Sequence, residues 1–381
     1  ISTMATQLGA VSFISAPAFV GLRKNGGLVW LGYEFAVPFA MILLIWKVIP
    51  IFHRTGIISI YEYLELRFDK KIRKFVSIIF LLSRALATGI TIYAAGIVVS
   101  LILGIGIHLT ILIIGCVALI YDYFGGIKAV VYSDVLQMSI IVIGIGLCIW
   151  FGLEYIGGWA QMREFLDPSR FDTLRYSNIG INTKDSFGFF PLLFGGFFLY
   201  LSYYGFDQSQ VQRELSARSL EHSRMSLLFN AISRYPVVLM YCILGLIIGT
   251  FAQMDADFMK RIPPERLDFM VPVFIIHYLP AGISGIIVVA ILAAAMSSLD
   301  SSLNSLSAAT YEDIIKPVFK SQGIVKSEIS VSRKLTVFWG IFCTIFALNV
   351  GSLSKTIIES INMIGSIFYG PIAGIFLLGI L

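Results

Sequence analysis

The chain has 381 residues, of which 57% are hydrophobic and 13% charged, and its formal net charge is +5. Soluble domains carry about 25% charged residues, so a soluble globular protein is excluded. Short strands of alternating polarity are absent from the sequence, which excludes an outer-membrane barrel.

Apolar runs close to twenty residues long recur along the sequence. About twenty residues of helix cross the roughly 30 Å hydrocarbon layer of a bilayer. The sequence therefore predicts an all-α polytopic membrane protein with the lipid bilayer as its partner. Ten spans are predicted, near residues 1–22, 27–50, 75–103, 108–124, 128–154, 187–208, 226–252, 280–310, 335–352 and 355–381. A short apolar piece, Val271–Leu279, is expected to cap the eighth span, and further residues are expected before residue 1.

Basic residues concentrate in the loops that follow the second, sixth and eighth spans. Examples are Arg73, Arg213 and Lys320. These three loops share one side of the membrane, which the positive-inside rule makes cytoplasmic. This pattern explains the net positive charge better than a nucleic-acid partner does. It predicts a multi-pass protein of the plasma (inner) membrane, which we expect to function as a monomer.

The first five and last five spans have opposite orientations, because five is odd. Each half also opens with an apolar segment rich in glycine: Gly9 follows Thr6-Gln7, and Gly195-Gly196 precede Ser202–Gly205. Broken helices at corresponding positions are typical of inverted-repeat transporters that bind their cargo at mid-membrane. For Gly195-Gly196 alone, close helix packing is the favoured interpretation. The predicted organisation is a first repeat at 1–154, an extracellular loop at 155–186 and a second repeat at 187–381.

Polar residues interrupt the eighth span. At about 100° per residue, Ser297, Asp300, Ser301 and Asn304 share one face of this helix. Isolated serines in a membrane helix usually bond back to the helix, but a carboxylate at this depth is costly unless it is paired or protonated. Hydroxyl and carboxylate oxygens are the ligands of small hard cations. The stripe therefore predicts one wall of a cation site, with the unwound backbone around Met4–Phe13 as the other.

Asp134 is a second acid at membrane depth, about six residues into the fifth span. Three interpretations remain open. Its carboxylate binds a second ion, pairs with Arg84 in the third span, or snorkels to the cytoplasmic interface.

The sequence resembles the sodium–solute symporter family along almost all of its length. The motifs that carry the resemblance are IPIFHRTGIISIYEYLELRF, ATGITIYAAG, YFGGIKAVVYSDVLQ, YYGFDQSQVQREL, AAAMSSLDSSLNS, YEDIIKP and GPIAGIFLLGIL. The resemblance implies a five-plus-five inverted repeat with broken first and sixth helices, alternating access and Na⁺ as the coupling ion. The family branches whose sequence motifs are most similar carry iodide, vitamins, monocarboxylates, galactose and sialic acid.

The resemblance also implies site residues. A sodium site falls on the carbonyls of Ala5, Leu8 and Ala294 and the hydroxyls of Ser297 and Ser298. A possible second sodium site falls on Asp134, Ser297, Asp300 and Ser301, although Asp300 stands where sialic-acid carriers have a hydroxyl. The resemblance implies Glu34 as a solute contact and Tyr203 as an aromatic gate, while Ser12 and Tyr200 stand where galactose carriers have other polar side chains. The full set of predicted solute contacts is Gln7, Ser12, Glu34, Phe35, Tyr200, Tyr203 and Asn362.

The expected function is sodium-coupled symport of a small polar organic solute, such as a sugar or sialic acid. The charge of Glu34 would repel an anion at low dielectric, which favours a hydroxylated solute. Alternatives are a sodium-coupled carrier of a small organic anion, monocarboxylate or vitamin, and a proton-coupled carrier that uses Asp134 or Asp300. A channel and a sensor on the same fold are rivals from other classes. The sequence does not predict an enzyme, because the four histidines are scattered and HExxH, GxSxG and P-loop motifs are absent. The singly placed cysteines predict neither disulfides nor a metal cluster.

Overall fold

A computed structural model describes residues 2–7, 9–124, 127–174, 188–322, 327–352 and 356–380. Across these ranges the regular structure is helical, with no strand. The first half comprises α1 (Ser2–Gln7), α2 (Ala10–Gly21), α3 (Leu31–Glu34), α4 (Val37–Leu43), α5 (Ile49–Thr55), α6 (Ile60–Arg67), α7 (Lys70–Leu103), α8 (Ile107–Phe124) and α9 (Ile127–Ile156). A 3₁₀ turn at Leu28–Trp30 and a π-helical turn at Leu44–Val48 lie within one apolar span, Leu28–Thr55, that includes α3 to α5.

The rest of the chain begins with a short helix in the loop predicted at 155–186 and ends with the tenth apolar segment. It comprises α10 (Trp159–Phe165), α11 (Phe189–Gly205), α12 (Gln208–Leu215), α13 (Leu220–Met254), α14 (Ala256–Lys260), α15 (Met270–Tyr278), α16 (Ala281–Thr310), α17 (Lys316–Gln322), α18 (Glu328–Ala347) and α19 (Ile357–Ile380). Shorter turns of helix lie at Pro168–Phe171, Leu267–Phe269, Tyr311–Ile315 and Val350–Ser352. The predicted cap, Val271–Leu279, is found one residue earlier as α15.

The prediction of an all-α polytopic membrane protein is confirmed. In the described part of the chain, seven helices are long and apolar enough to cross a membrane, and eight if the bent pair of α11 and α12 counts as one span. The first and fourth predicted spans are represented by shorter apolar helices. Several helices also extend beyond the predicted limits, since α7 begins at Lys70 and α13 runs to Met254.

Two breaks interrupt the first and sixth spans, as the inverted-repeat prediction requires. Between α1 and α2, Gly9 has an extended backbone and its carbonyl accepts the first bond of α2, from Phe13. Between α11 and α12 the chain bends by 55°. This second break follows Gly205, at the end of the Ser202–Gly205 stretch that the sequence singled out. Gly196 packs against Tyr33, in agreement with the favoured interpretation of close helix packing.

The N-cap of α12 fixes where the second break ends. Asp207 has extended backbone geometry, and its Oδ1 accepts hydrogen bonds from the Ser209 backbone N–H and hydroxyl, at 2.9 and 2.6 Å. An aspartate at this position satisfies backbone donors that a helix start leaves unpaired. Its other oxygen remains available for a partner outside the helix.

Small residues let α13 lie directly on α2. A Cβ added to Gly245 would stand 2.7 Å from the Pro17 carbonyl oxygen, and one added to Gly249 would stand 2.8 Å from the Cα of Gly21. Helices in lipid associate largely through such close backbone approach. The crossing holds α2 against α13, the seventh span.

Candidate functional site

A central cavity lies between the two broken helices and the spans around them. Helices from both halves of the chain contribute to its wall. The lining residues are Gln7, Gly9, Ala10, Val11, Ser12, Ala16, Trp30, Tyr33, Glu34, Arg84, Ala87, Thr88, Thr91, Leu199, Tyr200, Tyr203, Arg234, Val238, Tyr241, Ser298, Ser302, Ile358, Ile361, Asn362, Gly365 and Tyr369. Hydroxyls, amides and two guanidinium groups thus face one space in the middle of the bundle.

A buried ion pair joins Glu34 to Arg234 across this cavity. Arg234 Nε lies 2.5 Å from Glu34 Oε2, and Nη2 lies 3.0 Å from Oε1. The Tyr200 hydroxyl donates to Glu34 Oε1 at 2.8 Å, and Arg234 Nη1 donates to Gln7 Oε1 at 2.6 Å. The carboxylate is therefore neutralised by a bidentate partner. This changes the interpretation of Glu34: its charge no longer argues against an anionic solute.

A second buried ion pair joins the third span to the break in the sixth. Arg84 Nη2 donates to Asp207 Oδ2, the oxygen that the helix cap leaves available. The guanidinium carbon also stands 5.4 Å from the centre of the Tyr203 ring, within the range of a cation–π contact. Arg84 Nε is buried and has no hydrogen-bond partner among the described residues. Arg84 thus pairs with Asp207, while Asp134 has a different partner.

Asp134 belongs to a third polar cluster, whose residues are not among those that line the cavity. The Ser297 hydroxyl donates to its Oδ1, and Arg213 Nη2 lies 3.4 Å from its Oδ2. Arg213 Nη2 also donates to the Ser301 hydroxyl, which in turn donates to the Ser297 carbonyl at 2.8 Å. Asp134 is fully buried, so the snorkelling alternative does not describe it.

The remaining serines of α16 divide between the cavity and the helix itself. Ser298 and Ser302 line the cavity. Ser305 bonds back to the Ser302 carbonyl at 2.8 Å, which is the ordinary behaviour of a serine in a membrane helix. Asp300 is 2% exposed and accepts a 3.3 Å hydrogen bond from Asn304 Nδ2, one turn along the same face.

The predicted sodium ligands lie on helices that pack together. Ala5 is in α1, two residues before the helix ends, and α1 contacts α16, which carries Ala294, Ser297 and Ser298. Leu8 lies outside the described residues. Carbonyl and hydroxyl oxygens are suitable ligands for a hard cation. The ligand types therefore suit a sodium ion, and the role of these residues as ligands stays a prediction.

The predicted solute contacts are gathered in the cavity with one exception. The six that line it are Gln7, Ser12, Glu34, Tyr200, Tyr203 and Asn362. The exception is Phe35, which does not line the cavity. Its side chain is 37% exposed and its ring lies 5.8 Å from that of Tyr235. One residue beyond Glu34, a helical side chain is turned by about 100°, so Phe35 points away from the space that Glu34 faces.

Sequence reasoning missed Arg234 and Asp207, and it assigned Arg213 only to a cytoplasmic loop. Arg234 stands within a long apolar run, AISRYPVVLMY, and an arginine at membrane depth is by itself a sign of function. Asp207 follows the second break directly and precedes a run of polar residues, which is the pattern of an N-cap. Both signals were present in the sequence.

Comparison with known proteins points to one family of transporters along the whole chain. The model of the sodium:solute symporter family matches residues 1–381. The chain is 28% identical over 383 residues to sodium-coupled monocarboxylate transporter 2 of Mus musculus, with 100% of this chain and 60% of that protein covered. It is 30% identical over 388 residues to sodium-coupled monocarboxylate transporter 1 of Homo sapiens, with 100% and 62% covered. The sodium/iodide cotransporter of Homo sapiens is 28% identical over 376 residues, with 97% and 58% covered.

Solved structures agree with these relatives. The outward-open, substrate-bound state of a Na⁺-coupled sialic acid symporter matches with a TM-score of 0.84 and 27% identity, covering 100% of this chain and 77% of that one. A nucleobase-cation-symport-1 family transporter, in a closed conformation with bromovinylhydantoin bound, shares the fold at a TM-score of 0.58 and 12% identity, covering 95% and 74%. The chain spans about three fifths of the length of the curated relatives that it matches. The family match over every residue, on a fold with broken first and sixth helices, shows that this chain belongs to the sodium:solute symporter family.

Proposed function

We propose that this chain couples the inward movement of sodium to the uptake of a small organic anion by alternating access. The names of its relatives describe carriers of monocarboxylates, iodide and sialic acid, all of which are anions. The protein is a multi-pass membrane protein. We propose further that it acts in the plasma (inner) membrane and as a monomer.

The charge arrangement in the cavity carries this proposal. Glu34 is the one acid among the described residues that line it, and Arg234 neutralises that acid. Arg84, which pairs with Asp207, also lines the cavity, and its buried Nε has no hydrogen-bond partner among the described residues. A guanidinium with unused donors in a low-dielectric cavity favours a carboxylate, which it binds through parallel hydrogen bonds.

A neutral hydroxylated solute is the second candidate, favoured by the lining of hydroxyl and amide groups. These are Ser12, Thr88, Thr91, Ser302 and Asn362. Hydroxyl and amide groups can hold sugars by exchanging hydrogen-bond donors and acceptors with the solute's hydroxyls. The two candidates differ in whether Arg84 contacts the solute.

Coupling follows from the position of the first broken helix. α1 and α2 line the solute cavity through Gln7 and Ser12 and also pack on α16, where the predicted sodium ligands lie. Sodium bound between α1 and α16 orders the break that the solute also contacts. Each ligand then favours the state that the other favours, and the two effects on affinity must be equal.

The available driving force depends on the charge of the cargo. One sodium ion that enters with a neutral solute gains about 2.3 kcal/mol per 100 mV of membrane potential. With a monovalent anion no net charge crosses, so the sodium concentration ratio alone drives uptake, at about 1.4 kcal/mol per tenfold ratio. Current during uptake therefore separates the two candidates when one ion is carried.

Uptake into proteoliposomes tests the proposal directly. We expect accumulation of at least one labelled solute from a panel of lactate, pyruvate, nicotinate, sialic acid, galactose and glucose, and only with an inward sodium gradient. A carboxylate is expected to be the best substrate. Uptake of a sugar alone would support the second candidate. Uptake in sodium-free buffer that rises at low pH would replace sodium coupling with proton coupling through Asp134 or Asp300.

Replacing Ser297 with alanine is expected to raise the sodium concentration for half-maximal uptake by about tenfold, because a lost ligand worth about 1.4 kcal/mol changes binding by that factor. The solute KM at saturating sodium should change little. The measurement is uptake against sodium concentration at fixed solute.

Ser305→Ala is the matched control, since Ser305 lies on the same helix and its hydroxyl bonds back to the helix. It should leave the sodium dependence unchanged. An unchanged sodium dependence in Ser297→Ala would remove Ser297 from the sodium site.

A further inference from the structure

A separate cavity lies between the end of α8 and the beginning of α18. Its volume is about 430 Å³, within the range of about 300–1,000 Å³ that is typical of small-ligand sites. Tyr123 of α8 and Ser330, Arg333, Lys334 and Val337 of α18 contribute to its lining. These residues do not line the central cavity, and the proposed transport of a solute does not use them.

The cavity opens where the close contact between α8 and α18 ends. A Cβ added to Gly115 would clash with the Thr344 side chain, and one added to Gly340 would clash with that of Leu119. Small residues of this kind let the backbones of membrane helices approach each other. Beyond this contact, the end of α8 and the beginning of α18 leave space between them.

Two positive charges face this space. Arg333 and Lys334 both line it, and the guanidinium carbon of Arg333 stands 5.0 Å from the centre of the Tyr123 ring. That distance is within the range of a cation–π contact, which joins the two helices at the cavity. Within the described ranges, no acidic side chain lines the cavity.

The acids nearest along the chain do not neutralise these two charges at the cavity. Asp122 precedes Tyr123 but is buried and is not among the lining residues. A neighbouring side chain on a helix is turned by about 100°. Glu328, at the start of α18, interacts with Tyr311 and Lys316 instead. The cavity is therefore a net positive site.

The surface around the cavity is apolar. Exposed apolar side chains follow both helices away from it, namely Val117 and Ile120 on α8 and Phe338, Ile341 and Ile345 on α18. In a membrane protein such side chains contact the acyl chains of lipids, which are as apolar as they are. The cavity lies at the ends of α8 and α18 on the side of the basic loops, which the positive-inside rule makes cytoplasmic.

We propose that this cavity holds the headgroup of an anionic phospholipid of the cytoplasmic leaflet, with the acyl chains along α8 and α18. Basic pockets between membrane helices on the cytoplasmic side suit such headgroups. Arg333 and Lys334 supply charge for the phosphate, and the Ser330 hydroxyl supplies a hydrogen-bond donor. The apolar surface beside the cavity favours a lipid over a soluble phosphate compound. This inference does not depend on the identity of the cargo or of the coupling ion.

Native mass spectrometry of the purified chain in a neutral detergent tests the inference. The probe is dioleoylphosphatidylglycerol, and dioleoylphosphatidylcholine is the comparison without net charge. We expect one phosphatidylglycerol to bind per chain more tightly than phosphatidylcholine does. Arg333→Gln combined with Lys334→Gln should weaken this binding by about 25-fold, since each basic side chain near an anionic lipid contributes a factor of about five.

Two further variants separate the cavity from charge in general. Lys70→Gln combined with Lys71→Gln is the matched control, because these exposed lysines begin α7 on the same predicted side and the loss of charge is equal. This control should bind phosphatidylglycerol as the wild type does. Ser330→Trp keeps every charge but fills the cavity, so it should also weaken the binding. Ser330 is exposed, so the larger side chain does not disturb the core.

Three results would overturn the inference. Equal binding of the two lipids would show that the charge of the cavity does not select its ligand. Equal losses in the two double variants would assign the binding to charge spread over this face of the protein. Displacement of the lipid by an equal concentration of soluble glycerol phosphate would show that the acyl chains add nothing, and would assign the cavity to a soluble phosphate compound.

Discussion

Replacing Arg234 with methionine is expected to destabilise the folded protein by about 3–5 kcal/mol, the cost of leaving a buried charge without its partner. Glu34 is 3% exposed and accepts two hydrogen bonds from Arg234. Methionine fills much of the same volume but offers neither a charge nor a donor. Glu34 would then have to be protonated or hydrated inside the bundle, and both are costly.

Thermal unfolding of the purified protein, followed with a thiol-reactive dye, measures this effect. Cys148, Cys242 and Cys343 are buried and become reactive on unfolding. Arg224→Met is the matched control on the same helix, since Arg224 is half-exposed and its ion pair with Glu221 lies at the surface. Exposed pairs contribute about 0–1 kcal/mol, so this variant should melt close to the wild type.

A double variant separates the charge from the packing. Glu34→Gln combined with Arg234→Met removes both charges and should recover most of the lost stability. Equal melting of Arg234→Met and the wild type would show that the pair does not hold the cavity together. Failure of the double variant to recover would assign the loss to packing rather than to the unpaired carboxylate.

Replacing Arg84 with lysine is expected to reduce uptake of an anionic solute by about tenfold to a hundredfold, because a hydrogen bond to a charged carboxylate is worth about 1.5–3 kcal/mol. Lysine keeps a positive charge for Asp207 but cannot present the planar fork that binds a carboxylate through two bonds. The loss should appear in the solute KM, while the sodium concentration for half-maximal uptake should stay nearly constant.

Two measurements make this prediction decisive. Sodium-induced thermal stabilisation of Arg84→Lys should match that of the wild type, which shows that the fold and the sodium site are retained. If Arg84→Lys then takes up the carboxylate substrate as well as the wild type does, Arg84 holds the sixth helix through Asp207 and does not contact the solute. The proposal of an anionic cargo would then lose its main support.

Much of the architecture was predictable because hydrophobicity is a local property. Each span is a stretch of apolar residues long enough to cross a bilayer, and this length is visible without knowing what the stretch packs against. The break at Gly9 and the cap at α15 were also predicted, since glycine and short apolar pieces are local signals. The second break was predicted only to lie within the glycine-containing opening of the sixth span: it follows Gly205, whereas Gly196 serves close packing against Tyr33.

The membership of the cavity was largely predictable, but the charge partners within it were not. Gln7, Ser12, Glu34, Tyr200, Tyr203 and Asn362 were predicted as solute contacts and all line the cavity. Glu34 was given its correct place and the wrong electrostatic role, because Arg234 lies 200 residues away along the chain. A carboxylate without its partner is read as a negative charge, and with its partner as part of a neutral pair.

By itself, the sequence determined that this is a helical membrane protein, where most of its spans lie, and that oxygen-rich stretches face its interior. These properties depend on the composition and spacing of residues within single helices. The tertiary structure alone decided which charges meet: Arg84 with Asp207, Glu34 with Arg234, and Asp134 with Arg213. These partners are 123, 200 and 79 residues apart. Pairing at such separations is set by how the helices cross, and one charge in a low-dielectric interior takes its chemical role from the charge beside it.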